Sequence, residues 1–349
     1  MLIVSGNCDK TFASSIARLL GIKICKTDIE LSTSRESIIK ISQSVRQKRV
    51  FIIQTSTQNV NNDLMNLLLV AYACRTSSAQ EIIAVLPHLP YSRQSKMRKR
   101  GSIVVKLISK LFVQAGINHV ITIDLQVKEI QGFFECPVDN LRSLPFLLHY
   151  VRKNIPDFKN AVVVSRSPTG IARSTSMSER LGVGIAVIHG KFPNNSEEID
   201  DDGRNSPPPV DVQKRFIAHH VGSLPMIATK SSGAPVLIGN VKDKITFLVE
   251  ICIDDSTLMD FIESATFLKN NGAKAVYILG THAMFSAKYH ESITNSKIDE
   301  FIVTNTIPIH VNSSKIKIVD IRDLLAESIR RIYFKETMSH LFHEVTMND

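Results

Sequence analysis

Apolar residues along the chain fall into two alternating kinds of segment. Short β-branched runs at 50–53 (VFII) and 82–87 (IIAVLP) flank a helix-length stretch at 63–75 (DLMNLLLVAYACR). A second helix-like run at 103–114 leads into VITIDL at 120–125. Strand, helix, strand at this spacing predicts parallel α/β units.

The second half of the chain repeats the first. Arg18-Leu-Leu-Gly21, ahead of a short apolar run, recurs as Glu179-Arg-Leu-Gly182. Ser78-Ala79, ahead of a strand ending at His88-Leu-Pro-Tyr91-Ser92, recurs as Gly272-Ala273 ahead of His282-Ala-Met-Phe285-Ser286. The second pair is further apart than the first, so the later copy carries an insertion between its early and middle strands. Residues 190–240 supply it. Periodicity fails there, with acids at Glu197, Glu198, Asp200, Asp201 and Asp202 and prolines from Pro207 to Pro209, and a mobile surface excursion is expected. The pattern predicts an α/β protein of two tandem domains, 1–145 and 146–349, each a mostly parallel sheet flanked by helices. Pro145 and Pro156 bracket the helix expected to connect them.

Composition narrows the class without changing this picture. With 349 residues, 44% hydrophobic and 21% charged, the chain has material for two cores, and disorder, collagen and coiled coil are excluded as the dominant state. The chain opens with four apolar residues before Ser5, Gly6 and Asn7, which reads as no secretory leader. The richest apolar stretch, 64–74, is interrupted by Asn66 and is too short to span a bilayer. Five scattered cysteines (Cys8, Cys25, Cys74, Cys136, Cys252), never in C-x-x-C spacing, fit reduced thiols, so a cytoplasmic location with no membrane association is expected.

Charge is unevenly placed. Lys and Arg number 42 against 33 Asp and Glu, a formal +9, yet residues 93–110 alone hold seven cations (Arg93, Lys96, Arg98, Lys99, Arg100, Lys106, Lys110) and no acid. Following a strand's C-terminal end, such a loop lies where open α/β sheets bind ligands and would attract phosphates. A solvated basic loop is the plain alternative, and nucleic-acid binding a third, though only Tyr91 offers a stacking surface nearby. No Walker-type loop is present, which excludes a P-loop kinase. The Asp254-Asp255 pair, after a strand expected at 245–249 and with Glu250 nearby, suits a ribose diol or a metal; an acidic helix N-terminus explains it equally well. His88 and His282 read as satisfying strand-end backbone groups rather than as bases, and His340-x-x-His343 as a surface helix feature.

Ile130-Gln-Gly-Phe-Phe134, Pro137-Val-Asp-Asn-Leu141, Val303-Thr-Asn-Thr-Ile-Pro308 and Ala326-Glu-Ser-Ile-Arg-Arg331, with the Tyr91-Ser-Arg-Gln94 loop, resemble the ribose-phosphate pyrophosphokinase family nearly end to end. Three stretches are similar to its non-catalytic branch, the synthetase-associated proteins: residues 91–104, Asn160-Ala-Val-Val-Val164 with Ser167-Pro168, and Asp202-Gly-Arg-Asn-Ser-Pro-Pro208 of the insertion. The resemblance implies two phosphoribosyltransferase-like domains. The family's reaction moves a diphosphoryl group from Mg-ATP to ribose 5-phosphate, chemistry that depends on positioning, metal and cations.

Matched residue by residue, that machinery is depleted. Glu36, Arg93 and Gln94 correspond to nucleotide-binding positions, but Ser32 stands where the family has an aromatic. Gln126 falls on the metal-binding histidine, Arg166 within the turn that carries a second metal carboxylate, and Gly190 on the catalytic lysine. The ribose-phosphate loop becomes the stretch holding Glu250, Asp254 and Asp255, without the family's Gly-Thr cradle. Lys99, Arg100, Gln131 and Asn140 are the residues the resemblance implies for a residual regulatory phosphate site. The expected function is a non-catalytic subunit, homo- and hetero-oligomeric with catalytic pyrophosphokinase chains, lowering their output, needing no cofactor and retaining at most Mg-ATP, ADP or phosphate binding. An active pyrophosphokinase with reshuffled ligands and a basic-loop nucleic-acid binder are the rivals.

Overall fold

The computed structural model describes residues 1–6, 10–95, 101–166, 170–190, 235–311 and 313–343. The first half contains β1 (Leu2–Ser5), α1 (Lys10–Leu19), a hairpin of β2 (Thr27–Leu31) and β3 (Ser37–Ile41), β4 (Arg49–Ile53), α2 (Val60–Thr76), β5 (Glu81–Leu86), α3 (Val104–Ala115), β6 (His119–Ile123) and β7 (Val138–Leu141). Its sheet has the order β1-β4-β5-β6-β7 and is parallel throughout. The connecting helix α4 (Leu144–Asn154) has Pro145 in its first turn, where the missing N–H is harmless. The second half adds β8 (Ala161–Ser165), α5 (Ile171–Leu181), β9 (Gly184–His189), β10 (Val236–Ile238), β11 (Ile245–Asp254), α6 (Asp255–Asn270), β12 (Ala275–Met284), α7 (His290–Asn295), β13 (Glu300–Thr304), β14 (Ile316–Val319), α8 (Arg322–Phe334) and α9 (Ser339–His343). Its order is β10-β9-β8-β11-β12-β13-β14, with only β10 antiparallel.

The repeat is visible in backbone detail. Helices α1 and α5 both stop at a left-handed glycine, Gly21 at φ 68° and Gly182 at φ 69°, where a side chain would strain the backbone. The turns before β5 and β12 place Ser78 and Gly272 in the same region. Two expectations need correction. Residues 236–238 form an edge strand paired with β9, so the excursion ends before 240; residues 191–234 lie outside the described residues. Strand β11 does not stop at 249 but runs five residues further, because Glu250 to Asp254 continue in register against Gly280 to Met284.

Burial explains why the strands read as apolar runs. Alternate residues of β4 point to opposite faces, Phe51 and Ile53 into one core and Val50 and Ile52 into another, so both faces are covered. The first of these cores is shared: Phe51, Ile83 and Ile121 of one sheet and Val163, Phe247 and Ile302 of the other belong to one cluster with α1, α4, α5 and α8. The helices are exchanged. Helix α4, which closes the first half, packs on α5 and β14 of the second, and α8, which closes the second, packs on α1 of the first. Each fully buried side chain contributes roughly 1.5–3 kcal/mol, so this shared layer fixes the two sheets relative to each other. No helix among the described residues is long and apolar enough to cross a membrane.

Candidate functional site

At the C-terminal edge of the first sheet, the N-terminal turn of α2 and the turn after β5 form the walls of an open cleft of about 540 Å³, with Met284 of β12 at its far side. The β5 turn is tight. Tyr91 sits at φ 59°, a conformation rare for a bulky residue, and the Gln94 amide donates to the Tyr91 carbonyl at 2.9 Å. The Tyr91 hydroxyl donates to Asn61 Oδ1 in the first turn of α2 and so ties the walls together. This turn aims Arg93 across the cleft, where its guanidinium pairs with Asp254 of the other domain.

Asp254 is held independently of Arg93. Strand β11 passes into α6 with no intervening loop, and Asp254 is the N-cap. Its Oδ1 accepts from the Ser256 and Thr257 amides at 3.1 and 3.0 Å and from the Ser256 hydroxyl at 2.6 Å, while Thr257 Oγ1 accepts from the Asp254 amide at 3.1 Å. This is a reciprocal capping box. Burial pushes the Asp254 carboxyl up, but the Ser256 hydroxyl, Arg93 and Thr257 outweigh it and hold it below its ordinary value. Asp255 accepts from the Ser286 amide at 2.9 Å and hydroxyl at 2.5 Å, so the junction is anchored to the loop after β12 as well. Glu250 does not join them: it lies within β11, and its Oε1 accepts from the next amide, Ile251, at 3.0 Å.

The remaining positions are dispersed. Gln126 is exposed beyond β6. Arg166, at the end of β8, donates to Asp260 at 2.8 Å and lies 4.7 Å over the Phe261 ring. Gly190 follows β9 at φ 106°, a conformation that a lysine would adopt only under strain. Glu36 is exposed in the β2–β3 turn, accepting from Ser34 at 2.9 Å, and is not part of the cleft wall. Asn140 is buried, its side-chain oxygen accepting from the Leu125 amide at 3.0 Å, which closes the ends of β6 and β7. Gln131 donates to the Lys128 carbonyl at 3.1 Å. Lys99 and Arg100 lie outside the described residues.

A model for the phosphoribosyl synthetase-associated domain matches residues 157–343, and one for the N-terminal domain of ribose phosphate pyrophosphokinase matches residues 1–116. The chain belongs to the ribose-phosphate pyrophosphokinase family. It is 43% identical to human phosphoribosyl pyrophosphate synthase-associated protein 2, over 100% of this chain and 95% of that protein. Bovine phosphoribosyl pyrophosphate synthase-associated protein 1 is 45% identical, covering 97% and 94%. Ribose-phosphate pyrophosphokinase 2 of Schizosaccharomyces pombe is 37% identical, covering 97% and 96%. The crystal structure of phosphoribosylpyrophosphate synthetase from Mycobacterium smegmatis superposes with a TM-score of 0.80 at 26% identity, over 96% of this chain and 99% of that one.

The residues that the resemblance places at metal positions do not suit a magnesium ion. Gln126 offers a neutral amide, and Arg166 is a cation already paired with Asp260. Among the described residues no three His, Cys, Asp or Glu side chains are placed to hold a metal.

One polar cluster was not anticipated. Asp124, 2% exposed, accepts from Ser143 (hydroxyl 2.5 Å), Thr281 (2.9 Å) and Arg173 (3.2 Å) and so joins the two domains. Beside it the repeat-related histidines meet: the His88 and His282 rings are 4.8 Å apart, edge to face. His282 Nε2 lies 3.1 Å from the Ile123 carbonyl, the strand-end role expected of it, whereas His88 Nδ1 pairs with the Ser56 hydroxyl at 3.0 Å. The matched His-Leu-Pro-Tyr and His-Ala-Met-Phe motifs were the available signal, but no sequence spacing connects either to Asp124.

Proposed function

We propose that this chain is a non-catalytic subunit that assembles with catalytic ribose-phosphate pyrophosphokinase chains in the cytosol and lowers their synthesis of phosphoribosyl pyrophosphate, with no cofactor of its own. The observation that carries the reading is the β11–α6 junction. A sugar 5-phosphate needs free backbone donors at a helix N-terminus; here the Asp254 carboxylate takes the Ser256 and Thr257 amides and pairs with the arginine of the nucleotide side. The charge pattern at Gln126 and Arg166 supports the same reading, and full-length relatives named synthase-associated proteins support association. Hetero-oligomerisation follows naturally from a shared fold, since two chains of one architecture present equivalent surfaces to each other.

Purified chain with Mg-ATP and ribose 5-phosphate is expected to give no AMP above background. Co-expressed with a catalytic subunit, it is expected to co-purify and to reduce turnover per catalytic chain as its share rises. AMP formation at a rate near that of a catalytic member, or failure to co-assemble, overturns the proposal.

A further inference from the structure

We propose that the Arg93–Asp254 pair is an autoinhibitory latch that withholds the arginine of the cleft wall from phosphate-bearing ligands, an effect beyond the loss of catalytic groups, and that a single side-chain change can open it. Arg93 is the cation aimed from the β5 turn into the space between the domains, and Asp254 already occupies the position at the α6 N-terminus where an external anion would sit. One carboxylate therefore does two things. Its Oδ1 takes the helix amides, and its Oδ2 neutralises the arginine. An internal acid that mimics a ligand's charge at both contacts competes with that ligand at very high effective concentration.

The contact is built on ordered local structure on both sides. Both partners are rigidly presented: Asp254 by the capping box and the neighbouring Asp255–Ser286 bonds, Arg93 by a turn that forces Tyr91 to a positive φ and ties it to Asn61. A bulky residue in the left-handed region persists only where its surroundings over-determine it. Behind the latch the cleft remains open and polar on the α2 side, with Gln58, Asn59 and Asn62 on its wall and Ser92 and Gln94 beside Arg93. Space and donors are thus retained while the one cation on the described wall is engaged from within the chain.

The test uses the full-length protein and inorganic triphosphate as the probe, read by calorimetric titration and by the shift in melting temperature. Asp254→Asn removes the charge but keeps a side chain that caps a helix well. It is expected to bind triphosphate at least roughly tenfold more tightly than the unaltered protein, the gain expected of one released charge-assisted contact. Adding Arg93→Gln to Asp254→Asn is expected to erase the gain. Asp254→Ser, also a good cap, serves if the asparagine variant does not fold. Equal binding by the unaltered protein and both Asp254 variants overturns the latch, as does a gain that survives loss of Arg93. The outcome is read on the isolated chain and is independent of whether it assembles with a catalytic subunit.

Discussion

Two aspartates stand at the C-terminal ends of interior strands, Asp124 just after β6 and Asp254 as the last residue of β11, and each meets an arginine from the opposite domain, Arg173 and Arg93. Their surroundings differ sharply. Asp124 is 2% exposed and bonded to Ser143 and Thr281 with His282 beside it, whereas Asp254 is 21% exposed and pairs with an arginine of the open cleft wall. Burial pushes the Asp124 carboxyl up, but Arg173 and the Ser143 and Thr281 hydroxyls together hold it below its ordinary value. The same pairing of groups therefore serves two ends. In the interior it decides whether the domains fit, and at the cleft it decides what can enter.

Removing each partner separates these roles. Asp124→Ala strands Arg173 and two hydroxyls in the interior and is expected to destabilise by about 3–5 kcal/mol, measured by denaturant unfolding. A loss no greater than that of a surface substitution would end the contrast. Lowering pH probes the same interior next. Burial holds the His88 imidazolium pKa well below its ordinary value, with His282 adding to the effect, and burial brings His282 down to about 4 against the pull of Asp124. Unfolded histidines take up protons near 6.5 and these folded ones do not, so the unfolded chain binds more protons between pH 6.5 and about 4 and stability falls as pH falls through that window. Asp124 and Asp254, both held below 3.8, add their loss only at still lower pH. A melting temperature that stays flat from pH 6.5 to 4 would contradict the neutral histidine pair.

At the cleft the effects on stability shrink. Asp254→Ala removes the N-cap of α6 and is expected to lower stability by about 1 kcal/mol, most of which Asp254→Asn should restore. Arg93→Gln leaves the cap intact and loses one half-exposed ion pair, so a change below about 1 kcal/mol is expected in the same unfolding measurement. If Arg93→Gln proved as damaging as Asp124→Ala, the cleft pair would be a structural pin rather than a gate.

The fold was legible because its signals are local. Gly21 and Gly182 end equivalent helices, and the VFII and IIAVL runs are buried on both faces, so period and turn chemistry suffice to place them. The bounds of β11 were not legible: Glu250 and Asp254 are polar, and only pairing with β12 keeps them extended. The site was half legible. Residue types at Gln126, Arg166 and Gly190 carry the expectation of a depleted site, while the Arg93–Asp254 contact spans 161 residues and depends on how the domains are set. Asn140 also closes two strands by accepting from Leu125, a use that side-chain type alone does not disclose.

The exchange of α4 and α8 has a consequence for the independence of the two halves. Trading an equivalent element between like units usually links separate protomers; here both units lie on one chain, joined by a short segment at 155–160 whose Ile155 and Phe158 themselves pack against the shared core. Neither half, expressed alone, has a complete layer over its sheet, so each would present a greasy, helix-shaped vacancy that the other is built to fill. A chain cut within that segment should therefore stay associated, its parts held by mutual completion rather than by the peptide bond.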